Sequence, residues 1–268
     1  MKKLILILVL FSALKPFAQN TDSVKTNHSN RYLFAPSAFS LEKREYRYST
    51  YFFMVHDVQY GFSDYFNLTI GGSIILNPIY IMPSFSYKIN NKSALIIGDL
   101  FIYPIFEDLF PFNGNLLYGM YTYGNTDNNI SIGGGLWSTM ENDMTKRGNS
   151  PAVAISGIAK MSTNWYFVTE NYGFKMTIKE QANYYNNFNE YIYKEYFENN
   201  SLFIGGLSGF RLISKRKPNN YWQFGLIYIL SFFDDLPSKY DSPNWEVFIE
   251  DDNFEVYLIP ILTFSHKF

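Results

Sequence analysis

The chain has no cysteine, which excludes a disulfide framework, a zinc-thiolate site and a lipidated N-terminal cysteine. Charge is thin as well, at 17 % of residues, and without Lys2, Lys3 and Lys15 it leaves 19 basic side chains against 24 acidic ones. Nucleic acid calls for a concentrated basic face, so this mildly acidic balance excludes it as a partner. Beyond residue 20 no apolar run approaches the roughly 18 residues that a transmembrane helix needs. What the chain has instead is aromatic side chains, 26 Phe and 23 Tyr, which suit strands and membrane interfaces.

The first segment is a leader. Lys2 and Lys3 precede an apolar core from Leu4 to Leu14, and Phe17-Ala18-Gln19 follows. That is the pattern of a secretory signal peptide, with cleavage expected after Ala18. The expected organisation is a signal peptide over residues 1–18, a polar periplasmic lead-in over 19–30 and a β domain over 31–268.

The β domain reads as a series of strands. Phe254 to Phe268 alternates Phe254, Val256, Leu258, Pro260, Leu262, Phe264 and His266 with Glu255, Tyr257, Ile259, Ile261, Thr263, Ser265 and Lys267, which gives a strand one apolar and one mixed face. Tyr46 to Phe62, Phe66 to Leu76, Ile79 to Asn90, Ser93 to Phe106, Asn115 to Gly124, Ile130 to Met140, Pro151 to Ser162, Trp165 to Met176, Ser201 to Ile213 and Tyr221 to Phe233 repeat the pattern. Most are near the roughly 9 to 11 residues of a tilted membrane-crossing strand. Short connections such as Asn90 to Lys92 and Ser162 to Asn164 alternate with long ones at Glu107 to Gly114, Glu141 to Ser150, Thr177 to Asn200 and Asp234 to Asn253. Short periplasmic turns and longer extracellular loops mark transmembrane β-barrels. With Phe268 placed in the periplasm, parity puts the start of Tyr46 to Phe62 outside. Arg31 to Leu41 is then needed as a further strand beside the closing one, for a count of twelve. A ten-strand barrel with a looser N-terminal segment is the alternative, and a soluble lipocalin-like barrel or periplasmic sandwich the rival fold.

A family resemblance rests on the leader ending in Ala18-Gln19, on Arg31-Tyr-Leu-Phe-Ala-Pro-Ser-Ala-Phe39 and on Tyr60-Gly-Phe-Ser-Asp64. The chain resembles a group of uncharacterised outer-membrane β-barrel proteins of Bacteroidota-type bacteria. The resemblance implies location and fold and carries no activity. In outer-membrane barrels a closing strand of this kind serves as the insertion signal, although His266 departs from the residue usual at that position.

Chemistry is sparse. Barrel lipid hydrolases place His and Ser two apart on one strand face, as His-x-Ser-Asn, whereas Asn27-His28-Ser29-Asn30 has them adjacent and in the lead-in. His56 and His266 have no serine two residues away, so the chain reads as no enzyme. Gly-Gly steps after Ile70, Ile132 and Ile204 suit the bends of a closing barrel; a phosphate loop needs a helix behind it. Asp234 to Asp252 is rich in carboxylates but lacks the spacing of a calcium loop. No cofactor or metal is implied.

Charges on the minority strand faces belong in the lumen of a barrel, because Arg or Lys on the lipid side costs about 2–4 kcal/mol at mid-bilayer. Arg47, Asp57, Lys88, Asp99, Lys160, Arg211, Glu255 and Lys267 are therefore expected to face inward. They either pair to plug a narrow interior or line a small pore. Glu170 shares a face with Tyr166, Val168, Tyr172 and Phe174 and fits neither side. The Tyr- and Asn-rich stretch Thr177 to Asn200 suits a strand hairpin above the membrane, and Tyr184, Tyr185, Phe188, Tyr191, Tyr193 and Tyr196 offer a partner contact. The expected role is a structural or accessory component of an envelope complex or a passive small pore, with transport of a small or hydrophobic solute as alternative. The expected partners are outer-membrane lipid, lipopolysaccharide and another envelope protein.

Overall fold

The computed structural model describes residues 28–75, 77–106, 113–139, 149–185, 191–217, 219–233 and 254–268. The leader, the first part of the lead-in and the acidic stretch Asp234 to Asp252 lie outside them. Twelve strands form: β1 (Tyr46–Tyr51), β2 (Val55–Gly61), β3 (Phe66–Ser73), β4 (Ile79–Asn90), β5 (Ser93–Tyr103), β6 (Gly114–Gly124), β7 (Asn128–Thr139), β8 (Asn149–Lys160), β9 (Trp165–Tyr185), β10 (Tyr191–Ile213), β11 (Asn220–Phe233) and β12 (Phe254–Lys267). Each pairs antiparallel with its sequence neighbours, and β12 pairs with β1 to close a barrel.

The count of twelve is reached by a different route from the one the sequence suggests. Tyr46 to Phe62 is 17 residues, long for one crossing, and it folds into the hairpin β1–β2 with register Tyr51↔Val55. Its turn has no glycine, asparagine or aspartate to signal it. Phe52 and Phe53 take φ of 51° and 58°, a left-handed conformation that costs a residue with a Cβ about 1–2 kcal/mol. Arg31 to Leu41 is no barrel strand, and the neighbour of β12 is β1, in the register Tyr51↔Thr263 to Arg47↔Lys267. Tyr46 consequently lies at the same end of the barrel as Phe268, whose N–H donates to the Tyr46 carbonyl at 3.0 Å. The parity that puts Tyr46 at the opposite end fails with the extra hairpin.

This end, the turn end, holds the connections 62–65, 91–92, 125–127, 161–164 and 214–219. The opposite, loop end holds the β1–β2 turn and the longer connections. Above it β9 and β10 continue pairing to Tyr185↔Tyr191, well past the last β8 partner at Ala152↔Phe174. Thr177 to Asn200 is thus mainly a raised two-stranded hairpin.

Side-chain alternation sorts the wall. Ile70, Ile97, Ile132, Val153 and Leu226 point out and are exposed, while Gln59, Thr69, Thr122, Ser131, Ser156 and Thr263 point in and are buried. A lipocalin-like barrel has the reverse polarity. Aromatic rings gather outside at the turn end: Trp165 with Phe224 at 5.7 Å, Trp222 with Phe264 at 4.8 Å, and Tyr46 with Phe268 at 4.7 Å.

The core lies inside the barrel and is built on the segment 28–41, which enters from the turn end, rises and returns. Tyr32 and Ala35 pack on Ile158, Tyr166, Val168, Ile213 and Tyr221. Ala38 packs on Met82, Ala94, Ile96, Tyr118 and Met120. Leu33 packs on Tyr51, Leu207 and Ile261. Burying one such aliphatic or aromatic side chain is worth about 1.5–3 kcal/mol, so this strap holds the interior together.

Glycines let neighbouring backbones approach where β10 meets β11. Gly209 pairs with Gly225, and a Cβ on Gly209 would sit 2.2 Å from the Phe224 carbonyl oxygen. Backbone cannot yield as a side chain can. Gly209→Val is expected to destabilise the barrel by about 1–3 kcal/mol, read as a lower urea midpoint; an unchanged midpoint contradicts the close approach.

Candidate functional site

The site is the occupied lumen. The strap folds on itself first: Tyr32 N–H donates to the Ala35 carbonyl and Ser37 N–H to that of Asn30, both at 2.9 Å, and Arg31 and Pro36 form an isolated bridge. Pro36 has no N–H to extend that bridge into a ladder. The tip leaves three consecutive amides, those of Leu33, Phe34 and Ala35, pointing the same way. The Glu170 carboxylate on β9 receives all three, each at 3.0 Å. Successive amides of this kind form a concavity that binds an anion.

Arg211 on β10 takes the strap's carbonyls. Its guanidinium donates to the His28 carbonyl at 2.5 Å, to the Arg31 carbonyl at 2.9 Å and to the Tyr32 carbonyl, while its Nε donates to Gln223 at 3.0 Å. Its plane lies over the Tyr221 ring, 4.4 Å from the centroid. Across the lumen the strap's own Arg31 donates to Asp57 on β2 at 2.5 Å. Tyr80 and Tyr51 also donate to that carboxylate, at 2.8 and 3.1 Å. Asn30 bridges Gln59 and Arg47, and Thr122 accepts from the Ala38 N–H at 2.8 Å.

Of the residues singled out in the sequence, the structure brings Arg47, Asp57 and Arg211 together in the buried lumen. Lys160 and Lys267 sit at the turn-end rim, paired with Asp127 at 2.9 Å and Glu45 at 2.5 Å. Lys88 is exposed at the same end. Asp99 corrects the expectation: it alternates with Leu95, Ile97 and Phe101 on the outer face. It lies toward the loop end and accepts from Asn115 at 3.0 and 3.2 Å. Glu255 pairs through its backbone with Ser231, and its side chain is outside the described residues. Tyr184, Tyr185, Tyr191, Tyr193 and Tyr196 are strand residues of the raised hairpin, and Phe188 is outside the described residues. His28, expected in a periplasmic lead-in, is buried in the lumen beside Tyr166, ring centroids 4.3 Å apart.

Sequence reasoning missed the strap as an interior element. Its signal was Glu170. On β9 the apolar set Tyr166, Val168 and Tyr172 faces inward, because the strap supplies apolar side chains for it to pack on, and the one carboxylate among them faces bare amides.

Where the strap enters, Asp127 accepts from Lys160 and Tyr166, each at 2.9 Å, and lies 3.9 Å from His28 Nε2. His28 and these partners hold the Asp127 carboxyl well below the usual carboxylate range, against the cost of its partial burial. Burial lowers His28 to about 4, with Arg211 adding to the effect and Asp127 opposing it. Both docked groups bind protons less readily than free ones. Acid therefore favours release of the strap, first through His28 between its free value near 6.5 and about 4, then through Asp127 below roughly 3.9.

Two outcomes are expected. Since the chain lacks cysteine, Phe34→Cys offers a single site for a nitroxide label. Its spectrum should be immobilised at pH 7 and gain a mobile component as pH falls from 6.5 toward 4, a gain removed by His28→Asn; a spectrum unchanged down to pH 3.5 contradicts acid release of the strap. In the same labelled chain, Glu170→Ala leaves the buried amides of Leu33 and Ala35 and the part-buried amide of Phe34 without that acceptor, a cost of about 3–5 kcal/mol. The mobile component should then dominate at pH 7, and an immobilised spectrum would contradict the role of Glu170. No protein-family model matches the chain, and a search of curated proteins finds no match either.

Proposed function

We propose that this chain is an outer-membrane β-barrel stoppered by its own N-terminal strap, serving as a structural or accessory component of the envelope rather than as an open pore. The observation that carries this reading is the double clamp of Glu170 on the strap's amides and Arg211 on its carbonyls. The apolar outer wall and the aromatic ring at the turn end support a bilayer as its surroundings. In this reading the turn end faces the periplasm and the loop end the exterior, with lipid and lipopolysaccharide around the wall. The raised β9–β10 hairpin is then the element placed to meet another envelope protein. The closed lumen needs no catalytic step.

A second reading, passage of a hydrophobic solute, is favoured by the loop-side half of the interior. Above the strap the inward side chains of β9 to β12 include Phe174, Phe203, Ile229, Tyr257 and Ile259, a lining that suits apolar matter.

In planar bilayers the unmodified chain should show no steady ionic conductance. Removal of residues 28–41, or Glu170→Ala should that deletion not fold, should produce stable channels. Steady conductance of the unmodified chain would falsify the stoppered barrel.

A further inference from the structure

We propose that the β10–β11 turn and the aromatic shelf above it form a site for the phosphate headgroup of an anionic phospholipid in the bilayer leaflet at the turn end. The proposal rests on the membrane-barrel reading and gives that reading a specific lipid partner.

The site starts from a run of charge. Lys215, Arg216 and Lys217 follow one another in the turn, and all three are exposed. Their side chains do not hold the turn together. Backbone does so, through Ser214 N–H to the Asn220 carbonyl at 3.0 Å and Asn220 N–H to the Lys217 carbonyl at 2.8 Å, while the Ser214 hydroxyl accepts from Lys217 N–H at 3.2 Å. Three adjacent cations repel one another, and nothing in the turn's own structure offsets that. The flanking elements do not offset it either. Their carboxylates, Asp127 and Glu45, are taken by Lys160 at 2.9 Å and Lys267 at 2.5 Å, and among the described residues none of the three cations has a carboxylate partner. The β8–β9 turn beside them, 161–164, carries no charge at all. It is laced to the base of the basic turn by Ile213 N–H to the Asn164 carbonyl and Asn164 Nδ2 to the Ile213 carbonyl, both at 2.9 Å.

The wall next to this turn is aromatic. Its first outward row across β9 to β12 is Trp165, Leu212, Trp222 and Phe264, and Phe210 and Phe224 stand over it, edge-on to Trp165 at 6.5 and 5.7 Å. Two of the chain's four tryptophans thus flank one turn. Rings in this setting mark the boundary between hydrocarbon and headgroups. Lys215 lies three residues past Leu212, roughly 8 Å along the axis of a tilted barrel, and the headgroup layer is about 5–8 Å deep. The cations therefore stand at the level of lipid phosphates.

The ligand follows from the juxtaposition. A soluble acidic partner would use the charge but not the rings, which face the bilayer in this reading. A zwitterionic lipid would use the rings but brings its own cation toward the lysines. An anionic phospholipid uses both, with acyl chains against Phe210 and Phe224 and an uncompensated phosphate on the turn. The hairpin half-way round the ring, β4–β5, offers the contrast. Its exposed cations Lys88 and Lys92 are four residues apart, and its outward residues Phe85, Tyr87 and Ile89 include no tryptophan.

The test uses the whole mature chain folded into phosphatidylcholine vesicles, with Trp137→Phe and Trp245→Phe so that Trp165 and Trp222 alone fluoresce. A minor fraction of the lipid is replaced by phosphatidylglycerol or by phosphatidylcholine, each brominated on its acyl chains, and the quenching is compared. It should show a preference of about threefold or more for phosphatidylglycerol. Lys215→Gln, Arg216→Gln and Lys217→Gln together should remove that preference. Lys43→Gln, Lys88→Gln and Lys92→Gln, which take the same charge from the same end, should leave it. Should the first triple variant not fold, high salt on the unmodified chain should lower the preference by at least half. Equal quenching by the two lipids, a preference that survives the first triple variant, or one lost equally in the second would overturn the site. Co-sedimentation with isolated peptidoglycan that the first triple variant abolishes would assign the turn to a wall polymer and overturn it as well. The heat-dependent electrophoretic shift of a folded membrane barrel is read in parallel. Its absence from the unmodified chain in vesicles defeats the membrane-barrel reading itself, whereas equal quenching with the shift present defeats the lipid site alone.

Discussion

A carboxylate inside a barrel must find donors or the barrel cannot afford it. Glu170 is wholly buried, and the donors it finds are three amides of one tight turn. The turn has the matching need, since its Leu33 and Ala35 amides are buried away from water. Neither half of the contact is tolerable alone, and Arg211 repeats the logic with opposite sign on the carbonyls of the same turn. The strap is thereby fixed in height and rotation by charge-assisted bonds rather than by fit alone. Tyr32, Leu33, Ala35 and Ala38 are then delivered to the three places where the wall turns apolar side chains inward.

This division explains why the inner wall is not uniform. Strands β1 to β3 present Arg47, Asp57, Gln59, Asn67 and Thr69, and there the strap offers Arg31 and Asn30. Strands β8 to β10 present Ile158, Val168 and Leu207, and there it offers rings and methyl groups. Reversal follows on the outside, where Thr169 bonds Ser208 at 2.8 Å and Asn171 bonds the Ile155 carbonyl at 3.1 Å. Polar side chains on an otherwise apolar wall are tolerable when they satisfy one another. A lumen filled with water would not have selected an apolar inward face on β9.

The strands and the closed antiparallel barrel were legible because alternation is a local signal, present in every segment from Phe66 to Phe233. Two elements were not. The β1–β2 turn is made by Phe52 and Phe53, residues that carry no turn signal, and the excess length of Tyr46 to Phe62 was its one trace. The strap was hidden because the parity argument needed Arg31 to Leu41 as a further strand, and its true pairing is with side chains distant in sequence: Asp57, Thr122, Glu170 and Arg211. Asp99 misled for a related reason. A minority charge is assigned inward by pattern, but near the loop end, with Asn115 to bond it, the outer face serves as well. The lumen site was therefore legible as a set of charges, and Glu170 was the residue whose misfit pointed to what the set holds.

Closure of the barrel is itself lopsided, and the strap bears on it. At the turn end the β12–β1 seam is fastened several times over, by Lys267 with Glu45 at 2.5 Å, Ser265 with Ser49 at 2.8 Å and the stacked rings of Tyr46 and Phe268. At the loop end the same seam stops at Phe52 and Leu262. A seam paired over so few residues would ordinarily be the first part of the barrel to separate. What opposes separation lies inside: Leu33 packs on Tyr51 of β1 and Ile261 of β12 together, and Phe34 stacks on Tyr51. The strap thus bridges the two strands just below the place where their own pairing ends. One turn of chain both fills the lumen and holds the seam, and an acid-driven release of the strap would loosen the barrel just below the place where the β12–β1 pairing ends.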